Sequence, residues 1–234
     1  MVVKIPNKDI FGWDVYNYSM LLREIEKSGV DFKGKKVLEV GAGSQNGGLT
    51  AYFASMGAIV ECSDYTKIEQ ATKNIHKKYN LDVTYSKKSI LDLKSVEQYD
   101  IICFKSVIGG VLGHNNGDEA MLKNIFKQLH TALKPNGMLI FSENLTGSKM
   151  IQFLRSVFLK RTHFWVYQSQ STLEKMTQMQ GQEFLIEVAK TNGVIGVLGR
   201  IYYLQKMLGL FDNILFLIVP KKWHYIYHGI YKKK

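Results

Sequence analysis

The chain has 234 residues, 46% hydrophobic and 22% charged, enough to bury one sizeable core; nothing in it reads as a linker, a repeat or a low-complexity tract, so one domain over 1–234 is expected. Its formal net charge of +11 is concentrated late: residues 145–234 hold 13 Lys+Arg against 4 Asp+Glu, whereas residues 1–144 hold 18 against 16. The opening Met1–Asp9 lacks the apolar run of a secretion signal, and the apolar run 214–219 is far too short to span a bilayer, so a cytoplasmic location is expected, and no metal-ligand spacing stands out.

In chain order, Phe11–Leu22 carries aromatics at helical spacing and predicts a helix ending near Gly29. Trp13, Tyr16 and Tyr18 read first as core residues of that helix and second as contacts to a bound ligand. Val37-Leu38-Glu39-Val40 predicts a buried strand that runs into the glycine-rich turn 41–48 and then a helix. Glycines there let the backbone approach a ligand with no Cβ in the way. Asp64 closes the next apolar strand, 58–63, where such folds hold a ribose by its hydroxyls.

Two nucleotide cofactors fit that pattern unequally. A nicotinamide dinucleotide wants a third glycine where Asn46 stands, so that its pyrophosphate rests on the helix N-terminus. Glu39, two residues before Gly41, would repel that pyrophosphate but suits the cationic amino-acid end of S-adenosylmethionine. The plain alternative is a tight strand-to-helix turn with no ligand.

Beyond Asp64 the pattern predicts a helix over 67–79, a strand near 83–85, a strand over 99–104 and a helix from about Glu119 to Leu133. Leu133-Lys134-Pro135-Asn136-Gly137 stops that helix ahead of a fifth strand, 138–143. Strands alternating with helices mean a parallel sheet covered on both faces. Cys62 and Cys103 fall inside predicted buried strands and read as small core residues of a reducing compartment.

From Lys36 to Glu143 the E-x-G-x-G turn, the acidic end of the second strand, Tyr99-Asp100-Ile101-Ile102 and the Leu-Lys-Pro-Asn-Gly turn resemble the class I S-adenosylmethionine-dependent methyltransferases. The resemblance implies an α/β fold: a Rossmann-like seven-stranded, mostly parallel sheet flanked by helices on both faces, with substrate-side insertions toward the C-terminus. It divides the chain into an N-terminal helical cap (1–35), a cofactor-binding core (36–144) and a basic substrate-side portion (145–234). It also implies that Glu39, Gly41 and Gly43 line the methionine moiety, that Asp64 binds the ribose hydroxyls, that Ser89 and Ile90 flank the adenine, and that Lys105 joins the cofactor set. Two positions depart from the family pattern: Gln45 stands where many members have a further glycine, and Ser89 where an aspartate is frequent. Through Cys62-Ser63-Asp64, 104–110 and Ser142-Glu143-Asn144-Leu145 the chain is similar to small bacterial methyltransferases that act on glycans or other surface-polymer precursors.

Methyl transfer from a sulfonium is an in-line displacement in which the protein chiefly aligns reactants and excludes water. Amine-methylating nucleobase enzymes carry a D/N-P-P-Y-type motif where this chain has Phe104-Lys105-Ser106-Val107, and the proline and cysteine of cytosine C5 enzymes are also missing there. Nucleobase methylation is therefore disfavoured. An oxygen acceptor benefits from a general base, and the candidates are His114, in an expected glycine-rich loop 109–114, and Glu143, at the end of the fifth strand. Their plainer readings are a loop histidine bonded to backbone and a helix-capping glutamate.

Lys149, Arg155, Lys160 and Arg161, interleaved with Phe153, Phe158, Phe164, Trp165 and Tyr167, suit an anionic substrate, nucleic acid or a charged membrane surface. A solvated basic face with its aromatics turned inward is the alternative. His163, His224 and His228 lie in the same half, and packing explains them without a metal. Ile201–Leu210 predicts an inserted helix that, with 214–219, would form a lid, a dimer surface or a membrane-surface patch, and 223–231 predicts a late strand beside the sheet edge. The expected function is methyl transfer to a small or glycan-like acceptor on oxygen. An RNA methyltransferase, from the basic half, and an inactive S-adenosylmethionine-binding regulator, from Gln45 and Ser89, are the alternatives.

Overall fold

The computed structural model describes residues 3–43, 47–158, 164–196 and 202–234. Gln45, Asn46, Lys160, Arg161, His163 and Ile201 lie outside them. Two helices, α1 (Asn7–Phe11) and α2 (Val15–Lys27), precede β1 (Lys36–Glu39), α3 (Gly48–Ser55), β2 (Ile59–Asp64), α4 (Gln70–Lys78) and β3 (Val83–Lys87). Then come β4 (Tyr99–Lys105), α5 (Ile108–His114), α6 (Glu119–Ala132) and β5 (Leu133–Asn144). The basic portion adds α7 (Lys149–Phe158), α8 (Gln170–Lys175), β6 (Phe184–Asn192), α9 (Tyr202–Ile218) and β7 (Ile226–Lys233).

All seven strands join one sheet in the order β3-β2-β1-β4-β5-β7-β6. Every pairing from β3 to β5 is parallel, and β7 runs antiparallel to both of its neighbours. Period-two alternation divides the strands between two apolar layers. Ile102, Phe104, Leu139 and Phe141 face α5 and α6, whereas Ile101, Cys103 and Ile140 face α2 and α3. Helix α6 meets its layer through Leu122, Ile125, Phe126 and Leu129, the spacing of one helical face, and Asp118 caps it by accepting from the Met121 amide at 3.0 Å. Each such side chain removed from water stabilises the fold by about 1.5–3 kcal/mol.

The structure corrects three local expectations. Residues 109–114 form helix α5, not a loop. Residues 202–210 and 214–218 of the two expected runs belong to one helix, since α9 continues through Asp212 to Ile218. Strand β5 starts at Leu133, and its register with β4 shifts where residues 134–137 bulge out. The strand order reverses between β1 and β4, so the ligand crevice of such a sheet opens at their carboxyl ends.

Candidate active site

At that crevice Gly41 has φ +73°, and a Cβ there would stand 2.5 Å from Val107 Cγ2. Only glycine lets the two strand ends close on each other. The Gly43 amide donates to Asp64 Oδ2 at 3.0 Å, and a Cβ on Gly43 would lie 2.7 Å from that carboxylate. Asp64 Oδ1 accepts from the Thr66 amide at 2.9 Å and the Thr66 hydroxyl at 2.7 Å. The buried carboxylate is thus aimed at the turn before any ligand arrives. Glu39 is also buried, with Oε2 accepting from the amide and hydroxyl of Thr50 at 2.6 Å each. Burial pushes its pKa up and Thr50 pulls it down. Ser89 accepts from the Leu91 amide at 3.2 Å, and the Ile90 side chain belongs to the core.

Helices α1 and α2 cover the crevice beside β4. Lys105 donates to the Phe11 carbonyl at 3.0 Å, with its ammonium 5.0 Å from the Trp13 ring and 4.3 Å from the Tyr18 ring. Such cation–aromatic contacts favour a buried ammonium. Ser106 sits at φ +54°, an uncommon conformation for serine. Its hydroxyl bonds Tyr18 Oη at 2.7 Å and accepts from Asn144 Nδ2 at 2.9 Å. A second buried network fastens the lid: Asn17 Nδ2 donates to Asp212 Oδ2 at 2.7 Å and to Asp14 Oδ1 at 2.9 Å, and Tyr225 donates its hydroxyl to Asp14. Burial raises the Asp14 pKa to about 6 against the pull of Tyr225. Tyr18 and Asp14 are core, while Trp13 and Tyr16 are half-buried.

The two expected bases are not brought together. Glu143 is fully buried, and its Oε2 accepts from the amides of Val107 at 2.9 Å and Ile108 at 2.8 Å, while Oε1 accepts from the Asn144 amide at 3.0 Å. Burial lifts its pKa to about 7, opposed by those amides. It caps α5, the helix preceding it in sequence, and not the helix that follows it. His114 ends α5 at the far end from Glu143, exposed to solvent, with its ring 4.1 Å from that of Phe164. The glycines of α5 serve packing: a Cβ on Gly109 would lie 1.9 Å from Trp165 Nε1. The Val166 amide donates to the Gly109 carbonyl at 3.0 Å, so the 164–167 segment lies directly on α5.

A crossover βα sheet with its order reversed between β1 and β4, a glycine turn after β1 and an acidic end to β2 form one cofactor cradle, and a sequence model described as a methyltransferase domain matches residues 16–185. The chain belongs to the methyltransferase domain family. No curated protein matches its sequence. Among solved structures, the methyltransferase is similar to geranyl diphosphate C-methyltransferase from Streptomyces coelicolor A3(2), at TM-score 0.64 and 11% identity over 93% of this chain and 79% of that one. It is similar to Haemonchus contortus phosphoethanolamine N-methyltransferase 2, at TM-score 0.62 and 17% identity over 93% of this chain and 52% of that one. Magnesium protoporphyrin IX methyltransferase from Synechocystis PCC 6803 gives TM-score 0.57 and 14% identity over 93% and 81%. At such identities the likeness is one of fold.

The basic C-terminal portion of the methyltransferase departs from the sequence reading at Arg155. Its guanidinium is buried on α7, donating to the carbonyls of Leu145 at 2.6 Å and Thr146 at 3.2 Å and lying 3.9 Å from the Tyr167 ring. It therefore fastens the chain leaving β5 and is not an open anion-binding group. Open cations stand elsewhere: a cleft of about 350 Å³ is lined by Thr146, Ser169, Gln170, Ser171, Lys221 and Lys222 among others. It lies at the carboxyl end of β5, where β7 begins, on the sheet edge that also carries Asp64 and Gly43. Lys221 and Lys222 lie far from the basic segment in sequence, which is why spacing did not single them out.

Proposed function

We propose that the methyltransferase moves a methyl group from S-adenosylmethionine to an oxygen of a small, anionic, glycan-like acceptor. What carries this reading is the cleft of hydroxyls, an amide, two lysines, His224 and one carboxylate, Glu174, which accepts from Gln170 and Tyr227, on the same carboxyl edge as the Gly41–Asp64 cradle. Two of the structural neighbours act, by name, on phosphorylated compounds, geranyl diphosphate and phosphoethanolamine, which supports an anionic acceptor.

The cradle suits a cofactor without phosphates. The space a Cβ would fill at Gly43 lies against Asp64, whose carboxylate would take ribose hydroxyls beside or in place of the Thr66 hydroxyl. Bound, the sulfonium supplies a methyl carbon open to in-line attack. The chain aligns and dries the two reactants: α1 and α2 close the crevice over Lys105 and Ser106, and Lys221 and Lys222 hold the acceptor's negative charge. Glu143 is buried and engaged by three amides, and His114 is exposed but not among the residues lining the cleft, so the acceptor proton passes to solvent.

Asp64→Ala is expected to weaken S-adenosylmethionine binding by about 1–3 kcal/mol, the cost of hydrogen-bond partners left unpaired. Calorimetric titration of parent and variant checks this, and equal affinities would remove the ribose assignment. The acceptor reading is tested by labelled methyl transfer to a panel of sugar phosphates and nucleotide sugars, with RNA oligonucleotides alongside. Paired Lys221→Ala and Lys222→Ala should raise KM for the accepted compound about three- to tenfold, less at high salt, and leave cofactor affinity unchanged. Transfer to RNA and to no phosphorylated sugar would overturn it.

A further inference from the structure

Helix α9 is built with its polarity inverted. The carboxylate of Asp212 points inward, where it is buried and accepts from the amides of Val194 at 3.2 Å, Ile195 at 2.8 Å and Gly196 at 2.9 Å and from the Asn17 side chain at 2.7 Å. The opposite face carries Met207, Leu210, Phe211, Ile214, Leu217 and Ile218, each between 47% and 75% exposed. Those positions fall within one stripe of the helix at i, i+3, i+4 and i+7, and among the described residues no polar side chain interrupts it. An ordinary surface helix turns its charges to water, and an exposed apolar stripe of this extent marks an interaction surface.

We infer that the outward face of α9 docks on an anionic lipid bilayer, with the helix lying in the plane of the surface. The charge around the stripe selects this occupant. Lys221, Lys222 and Trp223 follow the helix directly, all exposed, and a tryptophan beside cations at the end of an apolar face is suited to the boundary between headgroups and acyl chains. Lys221 and Lys222 are the cations exposed beside the stripe; elsewhere in this half, which has 13 basic residues against 4 acidic ones, Arg155 and Lys233 are buried and Lys175 pairs with Glu119 at 2.7 Å. A second copy would bring this same positive half against itself, whereas anionic headgroups complement it. Helix α9 has 17 residues, and no helix of the described residues is long and apolar enough to cross a membrane, so it lies on the surface. Docking does not depend on the acceptor reading, although it would set the lysine-lined cleft, which shares Lys221 and Lys222, at the bilayer face.

The test uses the purified full chain and flotation with phosphatidylcholine vesicles, with and without phosphatidylglycerol. The parent is expected to float with the anionic vesicles, far less with the neutral ones, and to be released in part by high salt. Paired Leu217→Glu and Ile218→Glu should cut binding about tenfold or more, with thermal unfolding and S-adenosylmethionine affinity unchanged; paired serine substitutions at these positions should give a smaller loss in the same direction. Anionic vesicles should also shift the tryptophan emission of the parent to the blue, and Trp223→Phe should remove that shift. Failure to bind anionic vesicles, or binding unaffected by all of the stripe variants, would overturn the inference. So would a dimer in sedimentation velocity that the stripe variants dissociate, with no vesicle binding, because the occupant would then be a second copy.

Discussion

Glu143→Ala is expected to cost about 3–5 kcal/mol of stability, because it strips the buried amides of Val107, Ile108 and Asn144 of their acceptor. Two of these amides open α5, so the helix loses its anchor at the point where it leaves β4, and the Phe164–Trp165 segment resting on its glycines loosens with it. Glu143→Gln separates this role from acid–base chemistry. Its amide oxygen can still accept from the amides of Val107 and Ile108, while its NH2 would meet the Asn144 amide donor to donor, for a loss of about 1–2 kcal/mol. A positioning role predicts that the Gln variant loses stability in urea titration and keeps most of its kcat. A variant with parental stability and turnover lowered by several orders of magnitude would instead restore Glu143 as the base.

That difference marks where the sequence was legible. Strands β1, β2 and β4 and the second half of β5 could be read because each is a short apolar run beside a turn, and the Gly41–Asp64 cradle because both of its parts lie next to strand ends. Helix α5 could not. Gly109, Gly110 and Gly113 have poor helix propensity, and what makes them fit is the close approach of Phe164 and Trp165, some fifty positions away, which spacing alone does not reveal. For the same reason Asp14 gives no signal and Arg155 reads as one cation of a basic segment. The partners that permit their burial are Tyr225, 211 positions from Asp14, and the carbonyls of Leu145 and Thr146 beyond a turn. Asp212 did leave a signal: a lone carboxylate within the apolar run 207–218, where Asn213 is its only polar companion, is either a break or a buried anchor, and here it anchors the turn 194–196. Lys221 and Lys222 come to the cleft only because β7 inserts between β5 and β6.

The same insertion buries His228, and acid should expose the consequence. On β7 its Nε2 faces Asn192 Oδ1 at 2.9 Å and its Nδ1 faces the Ser142 hydroxyl at 2.6 Å. Asn192 Nδ2 donates to the Asn17 carbonyl at 3.0 Å, which leaves Oδ1 as the acceptor toward the ring. The imidazole is therefore neutral with its proton on Nε2, and Nδ1 accepts from Ser142. Burial, with the charge of Arg23 adding to it, pulls its pKa down to about 3. A depressed histidine contributes stability that is complete above the unfolded value and is lost as pH falls from about 6.5 toward 3, so by pH 4 the loss is on the order of 3 kcal/mol. Asp14 and Glu143, raised to about 6 and about 7, act in the opposite sense: their contributions shrink as pH rises through those values, and they would mask the histidine in the parent's pH profile alone. Comparison with His228→Gln isolates it, since Gln offers one donor and one acceptor but does not titrate. At pH 7 the variant should be less stable than the parent by about 1–2 kcal/mol from imperfect packing and hydrogen bonding. At pH 4 that gap should close or invert, because only the parent gains a protonated His228 in its unfolded chain while the buried ring stays neutral. Urea titrations of both proteins at the two pH values decide the matter, and an unchanged difference between them would mean that His228 takes up a proton as readily in the fold as in the unfolded chain, which would remove the depressed value.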